Sequence, residues 1–298
     1  MADQAQRMRE IFQKGQVFKE SHKGGLSRTF VVASGKGGVG KTNIVVNLAL
    51  ILGQLGQKIT ILDTDFGMAN VDILFDLNSR FTLIDVIQGR KDFDDVILKG
   101  PGNVRVIPGG SGLSQIVDLD RQQRERLISR FSLLEEKGGL MLIDCPAGLS
   151  HDVLSFIAAA DELILVTTPE PTAITDVYSI IKIVDNYKLH SRVNLIVNMM
   201  NSARDGQNVF KRIKRVCESF LEIEVVFLGG IEYDQSVQRA VLSSFPYVLQ
   251  FPHSRAAHCT RDIARRILFG VEKPEGEAPG AGKKKGFIKR LLNLWRAK

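Results

Sequence analysis

The chain has 298 residues, with 44% apolar side chains, 7% aromatics, 3 Cys, and 40 Lys+Arg against 33 Asp+Glu. That length and composition suit one large or two small domains around a buried core, and they exclude collagen-like, wholly disordered and disulfide-framework chains. Residues 283–298 carry 5 Lys, 2 Arg and no acid, which equals the whole formal charge of +7, so residues 1–282 are balanced and offer no broad basic body for a polyanion.

The chain opens on a leader, residues 1–25, that is too polar for a signal peptide. Its segment Asp3-Gln4-Ala5-Gln6-Arg7-Met8-Arg9 reads as an exposed helix, with Met8, Ile11 and Phe12 on one side. A long body, residues 26–271, follows. In it, β-branched runs at 29–34, 58–63, 139–144, 162–167, 193–198 and 224–230 alternate with stretches of helical period. The helices are expected at Lys41–Leu55, Arg121–Glu136, Leu154–Ala160, Ala173–Tyr187, Gln207–Phe220 and Arg255–Phe269. Strands apolar on both faces need helices on both faces. The expected fold is therefore α/β, a doubly wound, mostly parallel sheet flanked by helices, with its ligand crevice at the strand carboxyl ends.

Residues 272–285 are rich in Pro, Gly and charge, have little to bury, and read as a flexible tether. Beyond them, residues 286–298 form an amphipathic helix. Phe287, Ile288, Leu291, Leu292 and Trp295 share one side, while Lys289, Arg290, Asn293 and Arg296 take the other. With Lys283 to Lys285 just before it, this segment fits an interfacial helix on anionic lipid; the alternative is a helix docked in a groove of the body. No stretch approaches the ~18 apolar residues of a spanning helix. The cysteines and histidines are scattered without metal-ligand spacing, which fits a reducing, cytoplasmic compartment.

Directly after the first strand stands Gly35-Lys36-Gly37-Gly38-Val39-Gly40-Lys41-Thr42, which satisfies GxxxxGK[ST] and runs into a helix. Glycines let successive N–H groups turn toward a β-phosphate, Lys41 reaches the β/γ oxygens, and Thr42 offers its hydroxyl to Mg²⁺. Asp63-Thr64-Asp65 ends the second strand, and Asp144-Cys145-Pro146-Ala147-Gly148 ends a later one. Phosphoryl transfer to water needs such carboxylates near the metal and the attacking water. Their plainer alternative is a turn cap at Asp63 and Asp65 and a strand end at Asp144.

The loop GKGGVGKT resembles the deviant Walker A loop of MinD/ParA-type ATPases, and the two acidic segments resemble that family's DxD and DxPAG switches. The resemblance implies ATP, ADP and Mg²⁺ as ligands. It makes Lys36 a lysine that reaches a partner's phosphates and couples ATP to homodimerisation, against the alternative of an exposed lysine beside its own loop. It also implies that Asp65 orients the water, that Asp144 and Asp63 serve Mg²⁺, and that the Gly148 N–H meets the γ-phosphate. Asn198, at a strand end, would pair with the adenine edge. Tyr233, in a stretch reading IEYDQSV where the family has IPEDQSV, either stacks on the base or is a surface tyrosine.

Together with this body and tail, the leader resembles the DQAxxLR leader of the FlhG (YlxH, FleN) regulators of flagellar number and placement. By that resemblance Asp3, Gln4, Ala5 and Arg9 dock on an FlhF-type GTPase of the signal-recognition-particle class and stimulate it, with Gln4 entering the partner's site. The body would contact flagellar switch-complex (C-ring) proteins, and the ATP-bound homodimer would rest reversibly on the inner face of the cell membrane. The competing reading is a ParA-type DNA-partitioning ATPase, against which the balanced body argues; no direct nucleic acid binding is expected.

Overall fold

The computed structural model describes residues 28–65, 70–77, 80–109, 120–136, 138–270 and 286–295. The leader and the tether, with the roles expected of Asp3, Gln4, Ala5 and Arg9, lie outside the described residues.

The aliphatic runs pair side by side as β1 (Arg28–Ala33), β2 (Ile59–Asp63), β5 (Leu140–Asp144), β6 (Glu162–Thr167), β7 (Arg192–Met200) and β8 (Glu224–Glu232). Two further strands, β3 (Leu98–Lys99) and β4 (Arg105–Pro108), complete an eight-stranded sheet in the order β3-β4-β2-β5-β1-β6-β7-β8. All pairs are parallel except β3 with β4. Alternate side chains face opposite layers, as the pleat requires. In β1, Val31 and Ala33 join one core and Phe30 and Val32 the other, and β5 and β6 divide in the same way. Both faces therefore need a helical cover.

One face is covered by α1 (Lys41–Gln54), α2 (Asn70–Leu74), α9 (Gln235–Leu242), α10 (Tyr247–Gln250) and α11 (Arg255–Phe269). The other carries α3 (Leu83–Ile87), α4 (Phe93–Val96), α5 (Arg121–Glu136), α6 (His151–Ala159), α7 (Pro171–Asn186) and α8 (Ala203–Phe220). The short α9 and α10, with α2 to α4 and the strands β3 and β4, carry too few residues for a period to show in the sequence.

The tail is helical as α12 (Phe287–Trp295), and it packs on the body. Phe287, Ile288, Leu291, Leu292 and Trp295, expected at a lipid surface, are buried against α5 and α6 in the single chain, together with Leu294. Phe156 of α6 stacks on Phe287 at 6.5 Å and meets Trp295 edge-on at 5.8 Å. The reason is the pattern itself, since an oily helical face is served equally by a protein groove and by acyl chains. Burying each such side chain contributes about 1.5–3 kcal/mol, while ordering each of the nine residues costs about 1–2 kcal/mol. The two sums are of similar size, so the oily face alone does not fix the tail on the body. Lys289 stays exposed, whereas Arg290 turns to the body.

Asn47 ties the two halves of the α1 face together. Its Nδ2 donates to the Asn43 carbonyl at 2.7 Å, and its Oδ1 accepts the Val248 N–H of α10 at 2.9 Å. Both Asn47 and Val248 are buried. Asn47→Ala strands that N–H, so the urea midpoint is expected to fall by the equivalent of about 1–3 kcal/mol. An unchanged midpoint would show that the α1–α10 tie adds nothing.

Candidate functional site

Parallel pairing brings the chemistry to one edge of the sheet. Asp63 and Asp144 are register partners at the carboxyl ends of β2 and β5, and Val32 of β1 stands beside Asp144 on its other side. The chain leaving β1 forms the glycine loop and enters α1. Gly40, with φ of 84°, precedes the first helical residue in the left-handed region, which L side chains rarely adopt. A glycine loop of this kind, running straight into a helix, can turn its N–H groups and the helix amino terminus toward a phosphate.

Lys41 and Asp144 form the centre of the site. The ammonium donates to Asp144 Oδ1 at 2.6 Å, with the lysine 7% and the carboxylate 0% exposed. Burial alone would push the Lys41 amine down; the charge and hydrogen bond of Asp144 outweigh it and hold the amine above its ordinary value. Asp144 Oδ2 is buried with no hydrogen-bond partner among the described residues. An unmet buried oxygen on the carboxylate that bonds the loop lysine, with the Thr42 hydroxyl next in sequence to that lysine, suits a hard cation, so Asp144 and Thr42 fit Mg²⁺.

Asp63 has a different setting. It accepts the Asp65 N–H at 3.0 Å and the Val71 N–H at 3.5 Å, so it ties Asp65 and α2 to the end of β2. Burial, and then the neighbouring Asp144 charge, push its carboxyl up to about 7. Asp65 itself is half-buried and lines the cleft.

That cleft, of about 750 Å³, runs from Gly37, Gly38, Lys41 and Thr42 to an apolar wall that includes Met199, Tyr233 and Val241. Its size suits a nucleotide. Asn198 is buried at the wall and donates its Nδ2 to the Val39 carbonyl at 2.8 Å, which leaves its Oδ1 as the acceptor on offer. Tyr233 is half-exposed at the same wall, its N–H held by the Met200 carbonyl.

Two donors that the resemblance assigns to phosphate bond this chain's own acceptors here. The Gly148 N–H donates to the Ser34 carbonyl at 2.9 Å. The Lys36 ammonium pairs with Glu170 and with the Thr172 hydroxyl, at the start of α7. The pair is partly exposed, 32% for the lysine and 64% for the glutamate, so it contributes at most about 1 kcal/mol and exchanges readily. Sequence reasoning missed Glu170. Its position just after β6, next to β1 in the sheet, was the available signal. Cys145 is fully buried, and its thiol is pushed up to about 12 by that burial, which fits a packing role.

Comparison with known proteins adds the kinship. A family model described as an AAA domain matches residues 27–197, and one described as a NUBPL iron-transfer P-loop NTPase matches residues 134–268. The chain is 40% identical to the antiactivator FleN of Pseudomonas aeruginosa, over 80% of this chain and 86% of that protein. It is 30% identical to the flagellum site-determining protein YlxH of Helicobacter pylori, over 90% of each. Among solved structures it resembles the septum site-determining protein MinD of Pyrococcus horikoshii complexed with Mg-ADP. The TM-score there is 0.66 with 28% identity, covering 84% of this chain and 100% of that one.

Proposed function

This chain belongs to the MinD/ParA family of P-loop ATPases, in the branch of FleN and YlxH, and from that premise we propose an ATP-gated, membrane-resting regulator of flagellar number and placement. The observation that carries the reading is Lys36, a second loop lysine that lines the cleft while held by a partly exposed pair with Glu170 and a hydrogen bond to the Thr172 hydroxyl. A cation so placed can leave Glu170 for the triphosphate of a facing copy. ATP then bridges two protomers, and each site is completed by the other's Lys36.

Within the site, the loop amides and Lys41 hold the phosphates, and Lys41 stays paired with Asp144, which with Thr42 would hold Mg²⁺. The bound metal neutralises charge developing on the phosphate oxygens. Asp65 orients the attacking water, and Gly148 exchanges its bond to Ser34 for the γ-phosphate. Asn198 offers an acceptor to the amino group of adenine, with Tyr233 along the base. Pairing brings two tails together, so that Phe287, Ile288, Leu291, Leu292 and Trp295, with Lys289 and Arg290, leave the body for anionic lipid. Two weak anchors on one dimer then bind far better than one. Asp3, Gln4, Ala5 and Arg9 of the leader engage an FlhF-type GTPase and raise its turnover, while the body meets flagellar switch-complex proteins.

A pair of truncations tests the outward-facing half of this reading. Removing residues 283–298 is expected to abolish sedimentation with phosphatidylglycerol vesicles and to leave ATP turnover within about twofold. Removing residues 1–25 is expected to leave both intact and to abolish stimulation of the GTPase. Continued sedimentation of the tailless protein, or undiminished stimulation by the leaderless one, would contradict it.

A further inference from the structure

The tail helix is seated by more than its oily face. Glu135 of α5 lies beneath its first turn, 3% exposed, and accepts the Phe287 N–H at 2.6 Å. The first N–H groups of a helix have no partner inside it, and Gly286 brings no capping side chain, so α5 supplies the cap. A Cβ at position 286 would overlap the Glu135 carboxylate, which makes glycine the residue that fits. One turn on, Arg290 Nη1 donates to Asp161 Oδ1 at 2.9 Å, with side chains 13% and 10% exposed. Asp161 also accepts the N–H and hydroxyl of Thr29 in β1, at 2.9 and 2.7 Å, which ties the tail to the strand that ends at the phosphate loop.

We propose that Glu135 at the amino end and Asp161 on Arg290 form a polar latch that holds the tail on the body and governs its release toward lipid. The inference rests on the lipid reading above and deepens it. An apolar face alone is indifferent to the choice between groove and membrane, whereas these two holds exist only in the docked position. They are also breakable. Burial lifts the Glu135 carboxyl to about 6, with the Phe287 N–H and Arg290 only partly offsetting it, so docking carries a cost at neutral pH. Asp161 is the firmer hold. Burial pushes its carboxyl up, but Arg290 and the Thr29 donors outweigh that and keep it below the ordinary carboxylate range. Arg290 Nε and Trp295 Nε1 are buried with no hydrogen-bond partner among the described residues, and a headgroup layer provides partners for both. Arg290 thus exchanges one anion for another, Asp161 on the body for a lipid phosphate.

The test uses the full-length, nucleotide-free protein, whose sole tryptophan is Trp295 and reports undocking by its emission. Asp161→Asn removes a hold from the body side. Gly286→Ala removes the other from the tail side, without touching the folded body, the tail's charge or its apolar face. Both variants are expected to show red-shifted emission without lipid. Both should reach half-saturation on phosphatidylglycerol vesicles at about tenfold less lipid than the wild type. Unshifted emission and unchanged half-saturation in Gly286→Ala and Asp161→Asn would overturn the latch. Red-shifted emission without vesicle binding by any form would support the latch and remove the lipid reading.

Discussion

Lys41→Ala is expected to lower ATP turnover by about three orders of magnitude or more, because it deletes the cation that the proposed mechanism brings to the β/γ oxygens. A second effect has a separate cause. The substitution leaves Asp144 fully buried without its ammonium partner, and breaking such a pair costs about 3–5 kcal/mol of stability. The double variant Lys41→Ala/Asp144→Asn separates the two. Its neutral amide needs no counter-charge, so thermal stability should return most of the way while turnover stays lost. A Lys41→Ala protein that hydrolyses ATP within tenfold of the wild type would mean that the catalytic phosphate site lies elsewhere.

Lys36→Ala should do the opposite. Its pair with Glu170 is partly exposed, so folding stability changes by at most about 1 kcal/mol, and the loop amides and Lys41 still hold nucleotide. Binding of a fluorescent ATP analogue by the single chain is therefore expected within a few-fold of wild type. Dimerisation with ATP should weaken by about a hundredfold or more, since the proposed bridge would lose a charge-assisted contact to phosphate at each of its two sites. Sedimentation velocity over a concentration series measures this. Undiminished dimerisation by Lys36→Ala would assign the lysine to its own chain's surface.

The site was legible where its determinants are local. The loop's glycines, Lys41 and Thr42 lie within eight consecutive residues, and Asp63 and Asp144 end unmistakable aliphatic strands, so their placement side by side needed only the parallel fold. The partners of these groups were not legible, because they are remote. Glu170 meets Lys36 across 134 residues, and Glu135 meets the tail across 152. Nothing in either local pattern distinguishes these two acids from any surface glutamate. The tail shows a different limit. The periodicity of Phe287, Ile288, Leu291, Leu292 and Trp295 fixes a helix with one oily face, and leaves open whether protein or lipid covers it. What decides is the polar complement, Gly286 and Arg290 meeting Glu135 and Asp161, which emerges only in three dimensions. The strands β3 and β4 escaped notice because two and four residues carry no readable alternation.

The claim on which the account turns is that a bound triphosphate makes two chains pair. Light scattering of the Asp65→Ala protein, in which ATP should persist, measures it directly in the presence of Mg²⁺. The account expects twice the mass of one chain with ATP, the mass of one chain with ADP, and the mass of one chain with either nucleotide once Lys36→Ala is added. A single-chain mass at saturating ATP would contradict it.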